Sequence, residues 1–332
     1  MILCMKFPCA LLACFVIAVT PGISSAGSVP VAEPMEWRGL PAFRLTDGHC
    51  EAIVVPSLGG RMLHFGLIGG LHWLWTGEPG AEREKSALSW GGDKTYIGPH
   101  TFWALTQDAM WPPPAPDFEP CEVVTPQGLF STLGAPWPGS GVRVRRDYSF
   151  GKTGELVITH SVAPAPGSRE VSALWVIAQT IPTEAIFVPL PEHSPYKDGY
   201  FRFDFTNPAA PSWASQPLAG LLRLVPEPGV KFKIGATPAR PALATVKGGL
   251  AFLQRADPQD GMYPEGAPEA GQSVEVYHHD QKGTGQYVEL EQLSPLRRLD
   301  QGITLTTRWS IHPVPELPSE EKMRWMRNLL RQ

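Results

Sequence analysis

Along most of this chain apolar and polar residues alternate with a period of two, the spacing of a strand that buries one face. Such runs occur at 51–55, 61–67, 142–150, 155–162 and 173–180, and again at 200–205, 231–234, 250–254, 273–278, 286–291 and 303–311. β-branched and aromatic residues are enriched in them, and turn residues separate them. Between Phe150 and Glu155 the glycines Gly151 and Gly154 mark a hairpin loop. No repeat, no dinucleotide-binding glycine fingerprint and no alternation of strands with long helices is present, so the pattern predicts an all-β sandwich.

One helix is predicted, at the carboxyl end. Ser319 is placed to cap it, Glu320 and Glu321 supply the acids that a helix amino terminus favours, and Met323, Trp325, Met326, Leu329 and Leu330 form one apolar side. A helix this short is marginal alone, so residues 316–332 are expected to dock on a sandwich domain formed by 27–315. The stretch from Trp90 to Trp111 departs from the strand pattern. Its glycines, prolines and large aromatics predict a loop rather than a strand.

Composition agrees with short strands joined by turns. Charged residues are only 18% of the chain, while there are 36 prolines and 33 glycines, a balance poorly suited to helices. The formal net charge is −4, and no basic run interleaved with aromatics occurs, which weighs against nucleic acid as a partner. Residues 1–26 read as a secretory signal peptide: Lys6, an apolar run from Phe7 to Val19, a Pro21-Gly22 break and the small residues Ser24, Ser25 and Ala26. The apolar run is too short to span a bilayer, which takes roughly 20 residues. A periplasmic or secreted location is therefore expected. Lipidation at Cys14 is the rival reading, against which the apolar run continues past that residue. Without the leader only Cys50 and Cys121 remain, either as a disulfide or as two unrelated thiols.

The candidate chemistry gathers in two places. On the strand at 286–291, Tyr287, Glu289 and Glu291 share one face while Val288 and Leu290 point into a core, which makes either an acid–base surface or a solvated acidic face. In the 90–111 stretch Lys94, His100, Trp103 and Trp111 bring hydrogen-bonding groups beside aromatic faces. That composition suits a sugar or another flat polar ligand, and it equally suits a plug for one end of the core. Arg61 follows a glycine pair and either lines the same cleft or sits on its rim. His278 and His279 end the strand before the acidic one, and Arg308 is placed to pair with Glu289 or Glu291. Adjacent histidines on a strand face opposite ways, so a metal site at Tyr277–Asp280 is not expected, nor is any cofactor.

Several segments together resemble the galactose mutarotase-like superfamily, and within it the DUF4380 proteins. They are Val54-Val55-Pro56-Ser57-Leu58-Gly59-Gly60-Arg61-Met62-Leu63, then Leu71-His72-Trp73-Leu74-Trp75, then Trp90-Gly91-Gly92-Asp93-Lys94 with Gly98-Pro99, and finally Leu290-Glu291-Gln292 with Pro295, Leu299 and Gly302. The resemblance runs in order from about Glu36 to Pro313. It implies a supersandwich of two large curved antiparallel sheets with a ligand cleft on the concave face. It also implies a mono- or oligosaccharide partner and aldose 1-epimerase-like chemistry, with Glu291 in the position of the general base. The strand that should carry the partner histidine, Val171 to Thr180, has none. Gln179 stands there instead, an amide that holds a hydroxyl but delivers no proton, so His100, His278 and His279 become the candidate acids. A sugar-binding protein without catalysis is the alternative, as is an accessory to a polysaccharide lyase or hydrolase, though clustered cations for uronic acids are few in the sequence.

Overall fold

The computed structural model describes residues 31–77, 90–99, 103, 113–124, 129–151, 154–203, 212–264, 271–281 and 285–332. The predicted leader, His100 and Trp111 lie outside the described residues. In chain order the first strands are β1 (Val31–Trp37), β2 (Leu40–Thr46), β3 (Cys50–Val55), β4 (Arg61–Leu67), β5 (Asp93–Gly98), β6 (Glu122–Val124) and β7 (Phe130–Leu133). Next come β8 (Val144–Phe150), β9 (Leu156–Val162), β10 (Val171–Thr180), β11 (Ala185–Pro189), β12 (Phe201–Arg202), β13 (Ala214–Leu218) and β14 (Leu221–Leu224). The last are β15 (Phe232–Ala236), β16 (Ala242–Lys247), β17 (Leu250–Ala256), β18 (Val274–Gln281), β19 (Gly285–Leu293), β20 (Arg297–Arg298) and β21 (Ile303–Pro313), followed by helix α1 (Ser319–Leu330).

These strands build two antiparallel sheets. The first runs β1-β2-β3-β4-β5-β10-β19-β18-β15-β12, with β20 also pairing to β10; the second runs β13-β14-β11-β16-β17-β21-β9-β8-β7-β6. Strict alternation explains β8 and β9, whose buried and half-buried residues interleave along their whole length. β10 reads differently because nine of its ten residues are buried, as both faces of a central strand are covered. The main core lies between the sheets and joins Val54, Met62, Phe65, Ala178, Leu290, Val276 and Ile234 of the first to Tyr148, Phe150, Ile158, Phe252 and Trp309 of the second.

Helix α1 packs Met326, Leu329 and Leu330 into a smaller cluster with Phe187, Leu221, Ala244 and Leu253 on the second sheet. Its start differs from the sequence expectation. Pro318 occupies the cap position and no side chain caps the helix, because Ser319 is already its first residue. Cys50 and Cys121 are both free thiols. Among the described residues no helix is long and apolar enough to cross a membrane.

Over residues 91–98, β5 corrects the reading of 90–111 as a loop. Gly91 and Gly92 take positive φ values of 56° and 75°, and a Cβ on Gly91 would sit 2.1 Å from the Trp75 carbonyl oxygen. The tight glycine turn launches a regular strand that pairs with β10 from Ala173↔Gly98 to Ala178↔Asp93. What looked like loop composition at 91–98 is a turn followed by a central strand.

Candidate functional site

Register decides which side chains meet, since residues directly opposite in an antiparallel pair share a face. Ile177 lies opposite Lys94 on one side and Glu291 on the other, and Glu291 lies opposite Glu275. One row along, Gln179 is opposite Glu289, Glu289 opposite Tyr277, and Tyr277 opposite Lys233. The next row pairs Tyr287 with His279. Met62 is opposite Asp93, so one further step along that register brings Arg61 beside Lys94. The intervening residues, among them Ala178, Leu290, Val276 and Ile234, fill the core between the sheets. The polar set therefore occupies the outer face of the first sheet.

On that face Glu291 is 0% exposed. Its Oε2 accepts from Trp175 Nε1 at 2.6 Å and from Lys233 Nζ at 3.2 Å, while Lys233 also pairs with Glu275 at 2.6 Å. Burial pulls the Lys233 ammonium down, but the charges of Glu275 and Glu291 outweigh it and hold the ammonium above its ordinary value. Gln179 Nε2 donates to Glu289 Oε1 at 2.6 Å. Burial pushes the Glu289 carboxyl up against the pull of Lys94, and neighbouring Glu291 adds to the rise. Arg61 donates to Asp117 Oδ2 at 2.5 Å and to the Gly91 carbonyl at 2.9 Å. Lys94 is 4% exposed; burial and then Arg61 depress its ammonium.

Glu291 Oε1 and Gln179 Oε1 of this face are buried without a hydrogen-bond partner, and Lys94, 4% exposed, has no hydrogen bond or ion pair among the described residues. Buried polar atoms are ordinarily paired, so these groups are the candidates for ligand contact on this face. Behind it Tyr96, Trp103 and Trp175 form a packed aromatic wall. Trp103 stacks on Trp175 with centroids 6.2 Å apart and meets Tyr96 edge-on at 5.2 Å. Among the described residues no group of three or more His, Cys, Asp or Glu is arranged to hold a metal ion.

The sequence matches no known family profile and no curated protein. Solved structures are more informative. An aldose 1-epimerase candidate from Escherichia coli K12 superposes with a TM-score of 0.54 at 11% identity, over 82% of this chain and 99% of that one. A galactose mutarotase-like protein from Clostridium acetobutylicum gives 0.52 at 8% identity, over 86% and 99%. The fold is the galactose mutarotase-like sandwich. At these identities the likeness speaks to the fold alone.

Within this mutarotase-like sandwich Arg61, Lys94, Gln179, Glu289 and Glu291 stand on one face, as the register above requires. Two sequence candidates do not. His278 is opposite Val288 and Phe232 and packs its ring 5.3 Å from that of Phe232, on the core side of the sheet. Its neighbour His279 takes the outer face, with Tyr277 Oη 3.0 Å from its Nδ1 and Tyr287 stacked at 4.7 Å. Arg308 is on β21 in the other sheet and donates to Asp257, so it pairs with neither glutamate. Trp103 is fully buried, its Nε1 donating to the Ile97 carbonyl at 2.6 Å; it is wall rather than an open stacking platform.

Sequence reasoning passed over Lys233, Glu275, Trp175 and Asp117. Of these Glu275 was within reach: in a β18–β19 hairpin the residues of one parity face together, so Glu275 and Tyr277 belong with Glu289 and Glu291. Asp117, in a short 3-10 turn at Ala115–Asp117, left no such signal.

Proposed function

We propose that this chain binds a reducing sugar on the outer face formed by β5, β10, β19, β18 and β15, and that the chemistry this face supports is exchange between anomers with Glu291 as general base. The observation that carries the reading is the set of unpartnered groups around Ile177: two acceptor oxygens and an ammonium, the complement of a polyol. Glu291 has Oε2 committed to Trp175 and Lys233, which leaves Oε1 to take the proton of an anomeric hydroxyl. His100 is the proposed proton donor to the ring oxygen. We place the chain with the DUF4380 proteins and propose that the 1–26 leader directs it out of the cytoplasm.

A second reading, a binding protein of the same fold without catalysis, is favoured by one observation. β10 presents Trp175, Ile177 and Gln179 to this face, and none of them transfers a proton at neutral pH. The two readings separate by NMR of freshly dissolved α-glucose and α-galactose. Catalysis predicts faster anomer exchange that falls about a hundredfold or more in Glu291→Gln, the usual range for a lost general base. Binding without catalysis predicts no acceleration but a stabilisation of about 2.7 kcal/mol at a hundred times the dissociation constant. The absence of both effects across mono- and oligosaccharides ends the sugar reading.

A further inference from the structure

The charges of the site face are not evenly matched. Arg61 is paired with Asp117, and Lys233 with both Glu275 and Glu291. Arg146, which reaches the neighbouring turn from the second sheet, is paired with Asp93 and donates to the Gly59 and Gly60 carbonyls. Lys94 alone of these four cations has neither an ion pair nor a hydrogen bond among the described residues, although it is 4% exposed. Its one described neighbour contact is the Tyr96 ring, 5.8 Å from Nζ.

An isolated buried ammonium costs several kcal/mol, and the adjacent Arg61 makes the position worse. Such a group is accounted for when an anion completes it. The strongest opposing charge, that of Glu289, lies diagonally across β10 and forms no ion pair with it. Lys94 also borders a small cavity of about 20 Å³ together with Arg61, Asp117, Arg146 and Gly59. That is space for about one water-sized group. Three cations and one carboxylate line it, so a single anionic oxygen entering it is matched in charge.

We infer that the sugar taken by this site is a uronic acid, with its carboxylate on Lys94 beside Arg61 and its anomeric hydroxyl on the glutamate side, the ring lying over Ile177. The inference rests on the sugar reading above and names the class of sugar. β5 and β19 flank β10, so the two poles of the site are two strand spacings apart, about 9.5 Å. In a pyranuronate the carboxylate on C5 and the hydroxyl on C1 project outward from either side of the ring oxygen, which suits a cation on one flank and a carboxylate on the other. A planar carboxylate fits the small cavity better than a tetrahedral phosphate does. The neutral hexoses leave the ammonium with hydroxyl oxygens only, a weaker partner than a charged one.

Thermal-shift titrations of the whole chain with D-glucuronate, D-galacturonate, glucose, galactose and glucose 6-phosphate, at matched ionic strength, test this directly. Uronates are expected to bind about ten- to a hundredfold more tightly than the parent hexoses, the range of one charge-assisted hydrogen bond. Lys94→Met keeps the volume, removes an unpaired buried charge, and is expected to melt no lower than the wild type while losing the preference for uronates. Lys94→Arg should retain part of it. Hexoses binding as well as uronates overturns the inference and leaves the sugar reading standing. A uronate preference that survives in Lys94→Met, or a stronger response to glucose 6-phosphate than to either uronate, overturns the carboxylate assignment. No response to any sugar removes both readings together.

Discussion

Replacing Lys233 with methionine isolates the electrostatic clamp at the centre of the site. In the native protein its ammonium sits 2.6 Å from Glu275 and 3.2 Å from Glu291, and both carboxylates are fully buried. The two glutamates are directly opposite in the β18–β19 pair, which sets their Cβ atoms about 5 Å apart. Removing one partner of a buried ion pair costs about 3–5 kcal/mol, because the charge left behind has neither water nor a counter-ion. At about 2 °C per kcal/mol for a large domain, Lys233→Met should lower the melting temperature by about 6–10 °C at pH 8. The triple variant Lys233→Met, Glu275→Gln, Glu291→Gln should regain most of the loss, a strongly non-additive result. Calorimetry at pH 8 is the assay. A single variant within about 1 kcal/mol of the wild type refutes the clamp.

Two further outcomes follow from packing and titration. His160 is wholly buried between Thr95 Oγ1 at 2.9 Å and Thr307 Oγ1 at 3.1 Å, and burial followed by Arg146 holds its imidazole well below 6.5. Below that pH the unfolded chain takes a proton that the folded one refuses, so stability falls with falling pH; in His160→Gln the urea-derived slope should be shallower by about 1.4 kcal/mol per pH unit, and equal slopes would count against this. Gly91→Ala meets both the positive φ of 56° and the Trp75 carbonyl at 2.1 Å, so it should destabilise by at least about 1–3 kcal/mol in denaturant titration; a neutral effect would mean the turn relaxes freely.

The alternation that places Tyr287, Glu289 and Glu291 on one face was legible in the sequence because it is a local property of one strand. β11 was passed over because its short apolar run, buried throughout, has no alternation to read, and β13 because its middle is exposed and polar. β5 was hidden by the glycines that launch it. Of the two adjacent histidines parity picks out His279: Glu275 and His279 are four residues apart and share a face, while His278 does not. Arg308 was misassigned for another reason. Its strand follows β19 closely in sequence, yet after β20 the chain crosses to the other sheet, and which sheet a strand joins depends on partners far away. Lys233 and Asp117 enter the site through such distant pairings, which a single sequence does not reveal.

The order β5-β10-β19-β18-β15 carries a consequence for how the chain acquires its site. The five strands that floor it are drawn from positions between Asp93 and Leu293, and β10 is flanked by strands that precede and follow it by long stretches of chain. Closing such loops is entropically costly and makes folding slow. The anionic flank arrives with the β18–β19 hairpin, late in synthesis, so a growing or shortened polypeptide ending before that hairpin holds Arg61 and Lys94 with no acidic counterpart across the sheet. On the proposed reading, a chain shortened to end before that hairpin is expected to bind no sugar.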